Sequence, residues 1–448
     1  MLRLPAVLCA DGYEFVDQQY QYIDPAWHLA TGQDWSPTWE WNSGMRSWVY
    51  PGFLAGVFRA VLAAGVDDPL WCMRAVRAVH AVLSLLPLAM FWLCLVRWKP
   101  VAEPRLPLLL FAASGLLVNL GVQPSGLTWG GTLAIAAVLA FHGPRWFPWL
   151  AGLLLGLAFC GRVQDALFGP ALFVVGVVQR RWSAVVGLVL GCAPGLVLQG
   201  FVDLWTYGRF FSSPIAYYVC NVELGAAAKW AQQPWWFYLV LGVVPATLLL
   251  PPWLGIAWRA LRQGASVLPA ALAAAALHLV VHSCLGRKAI RFEYSALALS
   301  FAVVLAGLGG AAGRRFVRSF QLALVAVHVA LLLWASCVFQ HEGAVRAAIA
   351  LCEQPEFRGD LVAVDGDATM VGGASYLRQP RLQIASVPRA GLREHFAALP
   401  AGRAPFVMAS RTALAELDFG SAGRLVPVGA YGGRFRDRDR RFVYRLVR

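Results

Sequence analysis

The acids of this chain gather near its start. The stretch "DGYEFVDQQYQYID" holds Asp11, Glu14, Asp17 and Asp24 among tyrosines, and Glu40 follows between Trp39 and Trp41, six residues before Arg46. A carboxylate held in a loop can take a proton from an attacking hydroxyl. Aromatic faces beside it can shield the charge and support a sugar ring. Asp17 and Asp24 are seven residues apart, about two helical turns, and share a face if the stretch is helical. Far downstream, "GRKAIRFEY" packs Arg287, Lys288 and Arg291 into five residues, and Arg162 closes an earlier apolar run. Cations grouped in this way can hold an anion such as a phosphate, and Lys288 and Arg291 share a face if helical.

Each of these residues also has a plainer use. Asp17 can be a solvated loop acid, and Asp24 can cap the helix begun by "PAWHLA". Glu40 can pair with Arg46 to hold the loop closed, and Trp39 and Trp41 can sit in an interfacial aromatic belt. Arg287, Lys288 and Arg291 can snorkel to lipid headgroups. Arg162 can pair with Asp165, or it can supply a second phosphate contact. His28, His278 and His282 show no metal-ligand spacing and read as packing or hydrogen-bonding residues.

The elements that must position these side chains are membrane helices. The 448 residues are 59% hydrophobic and only 14% charged, against roughly 25% charged in soluble domains. Mean hydropathy is +0.59. The net charge of +14 reflects basic loops on one side of a membrane; no basic stripe with spaced aromatics marks nucleic-acid binding. Three lysines among 38 basic residues, with abundant Ala, Gly and Leu, point to a GC-rich bacterial genome. The nine cysteines form no C-x-x-C pair and read as small packing residues.

Apolar runs near 73–96, 106–122, 128–141, 147–161, 166–179, 182–203, 236–258, 265–285, 292–312 and 319–340 predict about 10–11 spans. Several are short enough to be tilted or half-spans. The run 48–66 carries Arg59 and is expected to lie along the membrane or dip into it. On that reading Arg97, Lys99, Arg105, Arg145, Arg180, Arg181, Arg259, Arg262, Arg314, Arg315 and Arg318 all face the cytoplasm. The acidic loop, the loop 204–235 and everything after 341 are then external, with Arg162, Arg287, Lys288 and Arg291 on that same side. A first span carrying the chain outward is expected before Asp11, with residues 1–16 as its remnant or the true start upstream. Beyond 352, short β-rich runs ("GDLVAVDGDATM", "RLQIASV", "APFVMAS", "GRLVPVG") alternate with helical ones, predicting a small external α/β domain. The expected organisation is a transmembrane catalytic domain over 1–340, with its external loop at 11–50, followed by the α/β domain at 341–448.

The order of these motifs resembles the α-mannosyltransferases of glycosyltransferase family 22. "VDQQYQYID", "TWEW" and "MRSWVYP" are similar to that family's first-loop blocks. Downstream, the likeness runs through Arg162, then Asp203, Tyr207, Gly208, Asn221, Val222, Pro234, Trp235 and Tyr238, then Lys288, Arg291, Phe292 and Tyr294. The chain departs from the pattern at Gln18, where the family has Glu, and at Arg287 and Ala289, where it has His and Glu.

The resemblance implies a polytopic GT-C glycosyltransferase fold and an inverting transfer of a hexose, mannose by likeness. The donor would be a polyprenyl-phosphate sugar and the acceptor a lipid-linked or envelope glycan. Asp17 takes the place of the family's leading Asp as base. Asp24, Trp39, Glu40, Trp41 and Arg46 are the candidate acceptor contacts, and Arg287, Lys288, Arg291 and Arg162 the candidate donor-phosphate contacts. No obligatory cofactor or divalent metal is expected, and the only other partners are membrane lipids. The enzyme is placed in a bacterial cytoplasmic membrane with its site on the periplasmic face. Alternatives are a GT-C transferase acting on protein or a lipid A-like acceptor, and a degenerate relative that binds or transports glycans.

Overall fold

Small residues decide how the membrane helices pack. Helix Phe147–Gly161 lies against helix Trp182–Tyr207 through Gly152 and Gly156 on one side and Gly187, Gly191 and Gly195 on the other. A methyl at Gly195 would stand 2.3 Å from the Gly156 carbonyl carbon, and one at Gly152 would stand 2.2 Å from the Leu188 carbonyl oxygen. Spacing small residues four apart lets two backbones approach this closely where lipid supplies no hydrophobic drive for association.

The computed structural model describes residues 2–98, 100–226, 232–238, 267–310, 341–365, 371–400, 403, 405–410, 419–432 and 440–447, with 326 and 329–330. The expected spans 236–258 and 319–340, and the basic residues Lys99, Arg259, Arg262, Arg314, Arg315 and Arg318, lie almost wholly outside these residues. Among the described residues, helices Pro69–Trp98, Trp182–Tyr207 and Ile290–Gly307 are long and apolar enough to cross a membrane. Arg105–Ala112 and Gly115–Val122, bent by 42° at their junction, make a fourth as a pair. Shorter apolar helices run over Val49–Ala63, Gly126–Ala140, Phe147–Gly161, Val163–Val178 and Pro269–Cys284. Val49–Ala63, at 15 residues, rises about 22 Å, short of a hydrocarbon core of about 30 Å. Helix Gly126–Ala140 begins with a reciprocal cap between Ser125 and Thr128 within the "QPSGLTWGG" stretch.

The chain forms two compact units. One comprises Met1–Arg3, Ser43–Tyr50 and Val79–Trp334; the other comprises Leu4–Asn42, Pro51–Ala78 and Ala335–Arg448. The acidic stretch therefore shares a unit with the C-terminal residues, 300 positions on in sequence.

In that second unit the C-terminal residues build a five-stranded sheet of β1 (Asp360–Val364), β2 (Gln383–Val387), β3 (Phe406–Ser410), β4 (Arg424–Tyr431) and β5 (Arg441–Val447). The order is β2-β1-β3-β5-β4, with β2, β1 and β3 parallel and β5 antiparallel to both β3 and β4. Val362, Val364 and Val407 alternate onto one face and pack with Leu392 and Phe396 of helix Leu392–Ala397, and with Leu425, Tyr444 and Leu446. This is the expected α/β arrangement, and β5 adds a strand that its arginines concealed in the sequence.

Candidate active site

The segment bearing the acids is helical with one widened turn. Val16–Gln18 passes through a π-turn at Gln19–Ile23 into helix Asp24–Thr31, which Gly32 ends at φ 75°. Single π-turns recur at functional positions because they shift the side chains that follow out of α-helical register. The segment is pinned within its own unit. Arg77, fully buried, donates to the Ala10 and Gly12 carbonyls, and Arg74 forms an ion pair with Asp11 at 3.2 Å.

Asp17 is half-buried. Its Oδ1 accepts from Gln21 Nε2 at 3.3 Å, and the same amide nitrogen donates to Glu40 Oε1 at 2.7 Å. One glutamine thus bridges the two acids. Glu40 and Trp41 are buried, while Trp39 is 41% exposed and presents an aromatic face. Trp41 meets Trp35 edge-on at 5.7 Å. The bridging role of Gln21 was missed in the sequence, where an amide among tyrosines gives no signal.

Asp24 is held quite differently. It is 2% exposed and accepts from the Ala374 amide at 3.0 Å, the Ser375 amide at 3.2 Å and Gln19 Nε2 at 2.8 Å. Gln19 also donates to Ser375 Oγ at 2.7 Å. Burial pushes the Asp24 acid up to about 6, against the pull of these donors. The cap it provides is to the turn Ala374–Leu377, not to its own helix, whose start carries no side-chain cap bond. Nearby, Tyr13 stacks on His341 at 4.5 Å, Gln33 Nε2 donates to the Ala374 carbonyl at 2.9 Å, and Arg378 lies over the Trp27 ring at 4.8 Å. The acidic segment is therefore seated on residues 341 and 371–378.

In the first unit the cations converge on one ring. The guanidinium carbons of Arg162, Arg287 and Arg291 lie 5.5, 5.7 and 5.4 Å from the centre of Phe292. All three arginines are half-buried. Arg162 also donates to the Phe292 carbonyl at 3.1 Å and stands 3.8 Å from the buried Asp165. Contact with a phenyl face is worth about 0.5–1 kcal/mol per cation, and planar guanidinium groups gathered in this way can also grip an anion. Lys288 behaves otherwise: it is 4% exposed, and its ammonium donates to the Gln233 and Leu285 carbonyls.

That lysine is one of several ties holding the loop. Gln232 pairs with Arg287 in an antiparallel bridge, Gln233 N donates to the Gly286 carbonyl at 3.1 Å, and the Ala289 amide donates to Tyr238 Oη at 3.1 Å. The two blocks "QQPWWFY" and "GRKAIRFEY" thus meet as one structure. Arg46 is fixed by other ties: Tyr207 Oη donates to its carbonyl at 2.7 Å, and Ser47 Oγ donates to Gln199 at 2.7 Å. Gln199 in turn donates to Ser213, which is held by Asp203. The same unit brings together His278, His282 and Glu293, a grouping that reading the two histidines as packing residues missed.

The model of the Alg9-like mannosyltransferase family matches residues 1–356. GPI mannosyltransferase 3 of Drosophila melanogaster is 24% identical over 262 residues, covering 54% of this chain and 42% of that protein. GPI mannosyltransferase 3 of Trypanosoma brucei brucei is 25% identical over 340 residues, covering 64% of this chain and 60% of that protein. The chain thus spans between about two fifths and three fifths of the length of these relatives. In fold it is similar to ArnT from Cupriavidus metallidurans, solved bound to undecaprenyl phosphate, at a TM-score of 0.62 over 99% of this chain and 96% of ArnT, with 14% identity. The apo form of ArnT matches equally, at a TM-score of 0.62. The fold is therefore GT-C, and the chain is an integral membrane protein. With the family match running from the acidic segment through both downstream blocks, this chain belongs to the Alg9-like mannosyltransferase family.

Proposed function

We propose that this protein transfers a hexose, mannose in keeping with its family, from a polyprenyl-phosphate donor to a lipid-linked or envelope glycan. Three guanidinium groups around Phe292 carry the proposal, because planar donors gathered at one half-buried ring are suited to gripping a phosphate. Undecaprenyl phosphate bound to the ArnT neighbour supports a lipid phosphate as that anion. Arg162, Arg287 and Arg291 hold the departing phosphate, and Lys288 keeps their loop in shape through its carbonyl bonds.

In this reading the acceptor oxygen bonds to the anomeric carbon as that carbon's bond to the phosphate oxygen breaks. The electron pair leaves with the phosphate, and the acceptor's proton passes to Asp17. A single displacement inverts the anomeric centre. Gln21 orients Asp17 and couples it to Glu40. Trp39 offers the exposed aromatic face for a sugar, and Asp24 acts from behind, by positioning the segment through Gln19. The transmembrane domain 1–340 carries the reaction, and the C-terminal domain 341–448 supports the acidic loop. The enzyme works in a bacterial cytoplasmic membrane with its site facing the periplasm.

The test is transfer by detergent-purified protein from radiolabelled polyprenyl-phosphate mannose to envelope glycolipids, with Arg291→Gln and Arg287→Gln alongside. Losing one hydrogen-bonded charge to the donor phosphate is worth about 1.5–3 kcal/mol. The donor KM should rise by about tenfold to a hundredfold with the fold intact. No transfer by the wild-type protein from mannose, glucose or galactose donors would favour a glycan-binding role without catalysis.

A further inference from the structure

Two ring nitrogens and one carboxylate come together at the ends of the arginine loop. His278 Nδ1 lies 3.0 Å from Glu293 Oε2, His282 Nδ1 lies 3.0 Å from Glu293 Oε1, and the two Nδ1 atoms are 3.0 Å apart. All three residues are buried, at 0–3% exposure. The two histidines are one helical turn apart on Val267–Cys284, so their rings project from one face. Glu293 arrives from the far side of the loop, on the turn Ile290–Glu293. Phe168 stacks on the His278 ring at 4.9 Å and 10°, which fixes its plane.

Protons alone satisfy this arrangement poorly. If both Nδ1 atoms carry hydrogen, each has a Glu293 oxygen at 3.0 Å, but the two N–H groups crowd at 3.0 Å and Glu293 Oε1 still lacks an aligned donor among the described residues. If one does, its single proton must serve both the carboxylate and the other ring. The Nε2 atoms of both rings are buried without a partner among the described residues, so they lack a bond whether or not they carry the ring proton. The balance is decided at Nδ1, where a cation takes all three lone pairs at once. A tetrahedral ion with bonds of about 2.0–2.1 Å sets its ligand atoms roughly 3.3 Å apart, a few tenths from the 3.0 Å between the two nitrogens and between each nitrogen and its own carboxylate oxygen.

We infer that His278 Nδ1, His282 Nδ1 and the Glu293 carboxylate form a binding site for a divalent transition metal of the zinc class. Two imidazoles and one carboxylate suit Zn2+ rather than Mg2+ or Ca2+, which favour all-oxygen sets. The fourth position falls to water. The metal closes a clip across residues 283–292, tying the helix of His282 to the turn of Glu293 and so bracing the loop of Arg287, Lys288 and Arg291. The role is structural, and it does not depend on the proposed transfer reaction.

The whole protein, purified in detergent with a tag free of histidine and without chelator, is passed over a chelating resin and assayed for metal by mass spectrometry. About one zinc per chain is expected, falling below about a tenth in Glu293→Gln and in His282→Gln. Chelation should speed amide exchange across 285–289, and zinc should restore it. Because the variants can fail to fold, wild-type protein stripped of metal is also titrated with Co2+. Visible d–d bands of a four-coordinate N,O site, displaced by Zn2+, support the site. Wild-type protein that retains less than a tenth of a zinc and shows no such bands overturns it, as does zinc that stays bound when both residues are replaced.

Discussion

Gly373 lies where the C-terminal segment packs closely on the acidic one. It sits at φ 88°, ψ 164°, a region that only glycine occupies without strain. A methyl there would stand 2.6 Å from Gln19 Nε2 and 2.9 Å from Asp24 Oδ1. Gly373→Ala therefore carries two costs. Forcing an L-residue into that backbone region costs about 1–3 kcal/mol, and displacing the Gln19–Asp24–Ser375 bonds costs another 1–3 kcal/mol or so. The sum, roughly 2–6 kcal/mol, falls on the opening of residues 371–378. Hydrogen exchange should read it as acceleration of the Ala374 and Ser375 amides by about thirtyfold or more, at a factor of ten per 1.4 kcal/mol. The amides of β1 and β3, packed in the sheet core, should be unchanged. Wild-type exchange rates at Ala374 and Ser375 in the variant would refute the claim that this contact seats the acidic segment.

Asp24 supplies a pH test of the same contact. Its acid is raised from 3.8 to about 6, so the folded chain holds the proton more tightly than the unfolded one. Its stabilising contribution is fully present below about pH 4 and is lost as pH rises through about 6. Asp24→Asn does not titrate, so wild-type stability relative to the variant should drop by on the order of 3 kcal/mol between pH 4 and 7.5. A difference that stays flat across that range would contradict the assignment. At the helix contact, Gly195→Leu drives a side chain into the Gly156 backbone and should destabilise the membrane unit by about 3 kcal/mol or more, read as a lower melting temperature in detergent. Wild-type melting there would mean that the two helices do not pack through their glycines.

How much of this was legible from residues alone depends on how far apart the partners lie. "TWEW", "MRSWVYP" and the spacing of Asp17 identify the first loop because those blocks are local. The arginine cluster was legible too, since Arg287 and Arg291 share one short stretch with Phe292. Its different use of Lys288 was not, because burying that ammonium depends on the Gln233 carbonyl 55 positions away. Asp24 shows the same limit more sharply: its bonds to Ala374 and Ser375 cross 350 residues, and nothing in "YIDPAW" points there. Four strands of the small domain followed from their β-branched runs. β5 did not, because "RFVYRLV" carries two arginines among its apolar residues, and the burial of Arg441 with Val443 and Tyr444 beside β3 appears only in the folded sheet. His278 and His282 read as packing residues because their acid lies on another helix's first turn, and only folding across the loop supplies it.

The most direct test of the central claim compares wild type with Asp17→Asn in the transfer assay from polyprenyl-phosphate mannose. Asparagine keeps the size of the side chain and its hydrogen bond with Gln21 while removing the basic oxygen, so the fold should be undisturbed. A general base contributes about a hundredfold or more in rate. The account predicts a fall of that size in kcat with donor KM little changed. Transfer that persists at the wild-type rate in Asp17→Asn would contradict it.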